Sequence, residues 1–441
     1  MYRSYLCSVS VATMTIGSDF LSKNEWSLLF TLRRQYFALY PPYLLSLPPA
    51  STLASDIAQR YLLNDLLLLD DDDIVADCNT EIEGLPEEKS MRIEPSMKGK
   101  GKARLKEPEA GYKKQVLRKL VDRLERGVSR KIEDGDEEAE VDERFYEILA
   151  GLMVSSHPTS TLPEAGPSTA PKTSYRTFIY DSPVSMESVS RRRQEKSDTP
   201  QTSVQLEERR ITLLEEQIAI QGGTTGLRTW TAALHLAHHI LHHSNLLLPP
   251  SDVTRGVVEL GAGTGFVSLL LGQLGVNVIG TDLGDDEEGH EEDEQGAGFR
   301  TPLGRLRSNI ALNECAITPS VRALDWTDAK RPRADRPGTW TQLESERRTI
   351  VAADVIYDPD LVPPLVDAID VLLHKGDEGQ CAIISATVRN QETFDKFLNT
   401  CKQHGLITED IDVPPMDSSS PTFWDSALDA GTQVRLIRIT R

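Results

Sequence analysis

The sequence lacks a long apolar run and has few cysteines. No apolar segment in its 441 residues approaches the roughly 18 residues that cross a bilayer, and no basic stretch followed by an apolar one opens the chain. The five cysteines are odd in number and far apart, and no Cys-x-x-Cys pair occurs. A membrane protein, a secreted disulfide scaffold and a zinc ribbon are therefore disfavoured, and we expect a cytoplasmic protein.

Basic and apolar residues are also scarce. The 48 Lys and Arg residues are outnumbered by 68 Asp and Glu residues, which leaves a net charge of −20. This acidity argues against nonspecific binding to nucleic acid or to an anionic membrane, whereas a basic patch on a protein substrate would be attracted. The hydrophobic fraction of 39% is below the ~45% typical of compact domains and predicts ordered domains joined by solvated linkers.

The first third of the chain predicts a helical region. Apolar residues recur at helical spacing in four segments, residues 20–43, 54–69, 113–130 and 145–154. Between and around them the composition turns polar, with many Pro, Ser, Glu and Gly residues. We therefore predict disorder in residues 1–18, a helical region at 19–154 that is flexible at 84–109, and a linker at 155–204.

A different pattern begins near residue 205 and predicts an α/β domain over 205–441. Leu206–Ile220 and Thr231–His243 have helical periodicity. Seven short apolar runs follow, mostly separated by helical stretches: 256–260, 276–281, 321–324, 349–354, 380–386, 411–413 and 433–440. This alternation is typical of a doubly wound, mostly parallel sheet, and the last two runs are close enough to pair antiparallel.

A glycine-rich turn follows the first of these strands. The motif is Glu259-Leu-Gly261-Ala-Gly263-Thr-Gly265, and a helical pattern continues from Phe266. The third glycine comes one residue too early for the dinucleotide-binding fingerprint, and a carboxylate before the turn would repel a pyrophosphate. The carboxylate of Glu259 suits the cationic amino-acid group of S-adenosylmethionine instead. The alternative is a tight strand-to-helix turn without a ligand.

Acidic and aromatic residues end the next two strands. Asp282 ends the second, at the place where an acid hydrogen-bonds ribose hydroxyls in nucleotide-binding sheets, although it also precedes a turn glycine. Asp325 and Trp326 end the third. Asp325 could accept from an adenine amino group and Trp326 could cover the ring; the alternatives are a turn acid and a core aromatic.

The fourth strand runs into Ala353-Asp354-Val-Ile-Tyr357. In a doubly wound sheet this strand lies beside the first, next to the reactive end of a cofactor. We assign Ala353 to the cofactor side, Asp354 to binding and orienting an amine, and Tyr357 to shaping the pocket. Methyl transfer to an amine needs alignment and a neutral nitrogen more than acid–base machinery.

These motifs together resemble the seven-β-strand S-adenosylmethionine-dependent protein-lysine methyltransferases, over residues 222–441. The shared marks are Glu-x-Gly-x-Gly-x-Gly, Leu-Asp-Trp and Asp-x-x-Tyr. Two further segments, Gly223–Trp230 and Ala386–Phe394, resemble the branch of this family that acts on eukaryotic translation elongation factor 2. The resemblance therefore implies a Rossmann-like methyltransferase with an antiparallel last strand and a smaller N-terminal helical region.

The resemblance also implies roles for single residues. It implies S-adenosylmethionine contacts at Trp230, Glu259, Gly261, Asp282 and Trp326, and a substrate lysine near Asp354 and Tyr357. Rim or substrate contacts are implied at Arg228, Arg389 and Asn390. The family has no counterpart for residues 284–299, which contain eight acids and predict a solvated loop.

Other readings stay open. A histidine cluster at 235–243 lacks interleaved carboxylates and predicts a solvated or packing face, so no metal is expected. The competing functions are methylation of nucleic acid or a small molecule, a noncatalytic binding module with this fold, and a nicotinamide oxidoreductase. We expect a monomer whose partner is a protein substrate, docked by the N-terminal region, with no nucleic acid and no membrane.

Overall fold

The computed structural model describes residues 21–69, 105–154, 173–182, 207–216, 226–247, 255–284, 301–377, 379–417, 421–429 and 433–441. The chain forms two compact units. Within the described residues, one unit holds 21–36 and 42–154, and the other holds 37–41 and everything from 173 onward. The segment predicted as disordered at 1–18 lies outside the described residues. So do most of the segment predicted as flexible at 84–109, of which 105–109 are described, and all but the first residue of the acidic loop predicted at 284–299.

The N-terminal unit is helical, as the apolar periodicity predicts. Its helices are α1 (Lys23–Phe37), α2 (Ala50–Leu53), α3 (Asp56–Tyr61, continued by a π-turn at Leu62–Leu66), α4 (Ala110–Glu133) and α5 (Arg144–Val154). Helix α4 buries one apolar stripe that includes Val116, Leu120 and Leu124. A Cβ added at Gly127 would lie 2.0 Å from the carbonyl oxygen of Ala50, so α2 and α4 touch backbone to backbone.

The second unit is built on a seven-stranded sheet flanked by helices. Its strands are β3 (Val257–Leu260), β4 (Val278–Asp282), β5 (Ser320–Ala323), β6 (Thr349–Ala353), β7 (Ala382–Thr387), β8 (Ile407–Asp410) and β9 (Val434–Thr440). The spatial order is β5-β4-β3-β6-β7-β9-β8. Strands β3 to β7 pair in parallel, whereas β9 pairs antiparallel with both β7 and β8. The predicted fold class is confirmed.

The inner parallel strands β3, β4, β6 and β7 are buried on both faces because successive strand residues enter opposite cores. Val257 and Ile383 face one apolar cluster, and their neighbours Val258 and Ile384 face the other. The helices that cover these faces are α6 (Thr231–Leu247), α7 (Phe266–Gln273), α8 (Pro302–Ala311), α9 (Gly338–Glu346), α10 (Val362–Leu372), α11 (Gln391–Gln403) and the short α12 (Ser426–Asp429). Continuous apolar strands are what a doubly covered parallel sheet requires.

The helix predicted at Leu206–Ile220 is wrong. Glu207–Glu216 forms strand β2, which pairs antiparallel with β1 (Thr173–Ser182) inside the predicted linker. Phe178 and Ile211 are register partners, and both are buried in the core that contains Phe266. Burial of these side chains against the sheet domain overrides the helix propensity of the glutamates.

The predicted strand at Ile411–Val413 is also displaced. The last edge strand, β8, is Ile407–Asp410 and ends before that run begins. Ile411 and Val413 are apolar because they pack, partly buried, against the core. The antiparallel pairing that we predicted for the last two strands is confirmed by β8 and β9.

Candidate functional site

The turn after β3 approaches its neighbours closely. Gly261, Gly263 and Gly265 have φ values of 66°, 54° and 85°, a region that side chains rarely adopt. A Cβ on Gly261 would lie 2.9 Å from Val355 Cγ1 and 3.3 Å from the Trp326 ring. The turn therefore meets residues that follow β5 and β6, and glycine is what lets the three segments converge.

Glu259 lies beside this turn with only 2% of its surface exposed. Its Oε2 accepts a hydrogen bond from the hydroxyl of Ser268 in α7. Burial raises the pKa of Glu259 to about 8, against the lowering by Ser268, and the nearby charge of Asp282 adds to the rise. A carboxyl group whose pKa is raised in this way is suited to losing its proton when a cation binds beside it.

Asp282 is held at the end of β4 by backbone amides. Its Oδ2 accepts from the amide of Gly263 at 2.7 Å, and its Oδ1 accepts from the amide of Leu283 at 2.8 Å. Burial nevertheless raises its pKa to about 6. Each carboxylate oxygen keeps a second acceptor position, so the side chain is oriented and still able to bind hydroxyl groups.

Asp325 and Trp326 follow β5. Asp325 caps a 3₁₀ turn that begins at Trp326, because its Oδ1 accepts from both the amide and the hydroxyl of Thr327 at 2.9 and 2.7 Å. Asp325 thus acts as a turn acid, as one of the alternatives predicts. Its carboxylate is also exposed and lines the cleft described below. Trp326 is partly buried with its ring against the glycine turn.

Asp354, directly after β6, has an unusual backbone and a bound partner. Its φ is 59°, and its amide donates to the carbonyl oxygen of Ser385 at 2.8 Å. Arg389 donates to both carboxylate oxygens, at 3.0 and 2.7 Å. The guanidinium of Arg389 also lies 5.0 Å from the ring centroid of Trp230. The residue predicted to bind an amine is therefore already paired with a cation.

These strand ends enclose one cleft with a volume of about 280 Å³. Of the predicted site residues, those that line it are Arg228, Trp230, Glu259, Gly261, Gly263, Asp282, Asp325, Trp326, Ala353, Asp354 and Tyr357. Gly265, Arg389 and Asn390 do not. Gly265 instead precedes α7, and Asn390 caps α11 by accepting from the amides of Glu392 and Thr393 at 2.8 and 3.4 Å.

The sequence patterns did not identify Thr229, whose hydrogen bonds hold one wall of the cleft in place. Thr229 lines it, and the Thr229 hydroxyl lies 2.7 Å from the hydroxyl of Thr264 in the glycine turn. The amide of Thr229 donates to Glu215 of β2 at 3.2 Å, and the amide of Glu216 donates to Leu227. Strand β2 thus holds the segment before α6. No local pattern reveals this pairing, because it joins residues that are distant in sequence.

The histidines of α6 pack against one another. His238 Nδ1 and His242 Nε2 both lie near the hydroxyl of Thr422, at 2.8 and 3.0 Å. Burial, with neighbouring histidines adding, lowers the pKa of His238 and His239 to about 3. In the part of the chain that the structure describes, no cluster of His, Cys, Asp and Glu could hold a metal ion, and no helix is long and apolar enough to span a membrane.

Comparison with known proteins identifies the domain that carries the cleft. Residues 206–295 and 299–404 match the family model described as lysine methyltransferase. This part of the chain is similar to the lysine methyltransferase family. The matched region starts at the boundary of β2 and runs to the end of α11, so it contains every cleft residue named above.

Curated relatives agree over a similar span. The chain is 30% identical over 244 residues to protein-lysine N-methyltransferase EFM3 of Chaetomium thermophilum, covering 54% of this chain and 64% of that one. It is 30% identical over 218 residues to EEF2KMT of Bos taurus (46% and 58%) and 27% identical over 230 residues to methyltransferase-like protein 22 of Mus musculus (50% and 51%). The chain spans about half to two thirds of the length of these relatives.

Proposed function

We propose that the protein is an S-adenosylmethionine-dependent protein-lysine N-methyltransferase acting on eukaryotic translation elongation factor 2. The observation that carries this proposal is the convergence of Glu259, Asp282, Trp326 and Asp354, from four strand ends, on one cleft. The family match and the relatives named protein-lysine N-methyltransferase support the reaction. The relative named EEF2KMT and the resemblance of Gly223–Trp230 support the substrate.

The chemistry of the cleft suits this cofactor. Glu259, Asp282 and Asp325 are three of the four carboxylates that line it, which disfavours a pyrophosphate and favours a nucleoside that carries a cationic amino acid. Glu259 would order the amino group, Asp282 the ribose hydroxyls, and Asp325 with Trp326 the adenine. When bound, S-adenosylmethionine supplies a sulfonium methyl group that an amine nitrogen can displace.

The other side of the cleft would receive the substrate lysine. Asp354 would bind and orient its amine, and Tyr357, which also lines the cleft, would confine it. A lysine has a pKa of about 10.4 in water, so the amine must lose a proton on or before docking. The apolar side chains of Val355 and Leu361 beside this position favour the neutral form.

A transfer assay tests this function. Labelled S-adenosylmethionine is incubated with the full chain and with purified elongation factor 2, or with a cytosolic lysate from a strain that lacks the gene. One labelled band at the size of elongation factor 2, lost in Asp354→Ala, is expected. Label in RNA or in small molecules would overturn the protein-lysine assignment. Cofactor binding without any label would instead identify a noncatalytic module.

A second candidate is methylation of another protein by the same site. The likeness to methyltransferase-like protein 22, at 27% identity over 230 residues, is the observation that favours it. A labelled lysate band of a different size, with purified elongation factor 2 unlabelled, would select this candidate. We further propose that the enzyme is a cytoplasmic monomer and that its N-terminal unit docks the protein substrate.

A further inference from the structure

Arg389 occupies a cation site made by two residues of the cleft. Its two terminal nitrogens bond the two carboxylate oxygens of Asp354, at 3.0 and 2.7 Å, and its guanidinium lies 5.0 Å from the Trp230 ring centroid. The side chain of Asp354 is 2% exposed, whereas that of Arg389 is 42% exposed. Asp354 is therefore fixed and hidden, and its cationic partner borders solvent.

A lysine ammonium would be attracted to the same two groups. A carboxylate and an indole face both bind an ammonium group as well as a guanidinium. Asp354 and Trp230 line the cleft, while Arg389 bridges them from outside its lining. Because 42% of the Arg389 side chain is exposed, rotation about its side-chain bonds could release the carboxylate without moving β6 or β7.

We propose that Arg389 and the substrate lysine compete for Asp354, so that Arg389 is a specificity-determining residue. This inference rests on the proposed function and deepens it. A lysine that reaches the cleft must displace a bidentate, charge-assisted pair, and that cost reduces its net binding. A folded substrate with contacts elsewhere can offset the cost, whereas a short unstructured peptide cannot. The pair thus selects for docked substrates.

Substitution by lysine turns the competition into a reaction that can be measured. In Arg389→Lys the ammonium at position 389 replaces the guanidinium in the cation site. Loss of its proton to solvent leaves a neutral nitrogen, which forms a bond to the methyl carbon of S-adenosylmethionine. The carbon–sulfur bond breaks and its electron pair stays on sulfur, giving S-adenosylhomocysteine. We therefore expect this variant to methylate itself.

Arg435→Lys is the matched control. Arg435 also makes a bidentate pair, with Asp410 at 2.9 and 2.5 Å, and lies 4.6 Å from the Phe394 ring centroid, but none of these residues lines the cleft. Intact-mass and peptide-mapping spectra after incubation with S-adenosylmethionine should find added methyl groups at position 389 only. An unmodified Arg389→Lys chain, under conditions in which the wild type methylates its substrate, would overturn the proposal.

A binding measurement tests the competition without any transfer. Calorimetry uses the full chain saturated with S-adenosylhomocysteine and a capped Gly-Gly-Lys-Gly-Gly peptide. We expect Arg389→Gln to bind the peptide at least about tenfold more tightly than the wild type, with Arg435→Gln unchanged. Equal or weaker binding by Arg389→Gln would contradict the competition.

The two measurements separate the inference from the function on which it rests. If the wild type transfers no methyl group to any lysine, the proposed function fails and the calorimetry still decides whether Arg389 blocks a lysine site. If Arg389→Gln no longer binds S-adenosylhomocysteine, the mass spectra of Arg389→Lys decide alone. A merely structural Arg389 would lower activity in both variants and produce neither self-methylation nor tighter peptide binding.

Discussion

At the scale of single residues, the buried carboxylate of Glu259 opposes folding while it serves the site. Its pKa is raised from 4.5 to about 8 by burial, so the folded chain keeps a proton that the unfolded chain has released. The free energy of unfolding therefore falls as the pH rises from about 4.5 to about 8. Stability is lost in this window because the folded state binds the extra proton.

Glu259→Gln should remove this dependence. The amide cannot ionise, and its oxygen still accepts from Ser268, so the variant should melt several degrees above the wild type at pH 8 and close to it at pH 5. If Glu259 orders the amino group as proposed, the affinity for S-adenosylmethionine should also fall, since the variant has no anion at this position. Melting curves and calorimetry at both pH values measure the two effects. A variant less stable than the wild type at pH 8 would contradict the pKa argument.

Gly261 is the second residue whose identity the site requires. Gly261→Ala places a methyl group 2.9 Å from Val355 at a φ of 66°, so the turn must shift and S-adenosylmethionine affinity should fall at least about tenfold. Gly275→Ala is the control, with a φ of 82° and nothing within 4 Å of the added carbon. Both variants carry the backbone strain of about 1 kcal/mol. Only Gly261→Ala should lose cofactor binding in calorimetry.

At the scale of elements, α2 and α4 meet where a side chain has no room. Gly127 lies inside α4, where alanine would ordinarily be favoured by about 1 kcal/mol. The added Cβ would lie 2.0 Å from the carbonyl oxygen of Ala50, so Gly127→Ala should instead destabilise by several kcal/mol. Gly151→Ala in α5 meets nothing within 4 Å and should stabilise slightly. Denaturant melts of the full chain should move in opposite directions.

Some helices and strands were predictable from sequence patterns and others were not. Strands β3, β4, β6 and β7 were predictable because both of their faces are buried, so each reads as a continuous apolar run that ends in a turn. Strand β2 was not predictable, because its glutamates occur in a pattern typical of a helix. Its apolar residues Ile211 and Leu213 pack in a core built by residues that are distant in sequence. The positions of the acids at the strand ends were predictable because each acid lies at the end of a strand that the sequence predicts. The pairing of Arg389 with Asp354 was not, since the register of two loops decides it.

At the scale of the whole molecule, the net charge of −20 and the N-terminal unit bear on how the proposed protein substrate would dock. Long-range attraction to a basic surface would raise the rate of encounter and fall with added salt. Docking also needs apolar contacts. In the N-terminal unit, Tyr43 and Leu44 are adjacent and are 77% and 43% exposed, which is a large apolar exposure for neighbouring residues.

If this unit docks the substrate, the double variant Tyr43→Ser, Leu44→Ser should raise KM for elongation factor 2 at least about tenfold. Affinity for S-adenosylmethionine and kcat at saturating substrate should stay unchanged, because the cleft residues all belong to the other unit. Ile407→Ser, which is 55% exposed on the edge strand β8, is the matched control. Steady-state kinetics at two salt concentrations separates the apolar contact from electrostatic attraction. An unchanged KM in the double variant would exclude these residues from docking, and a lowered kcat would mean that they act on the cleft instead.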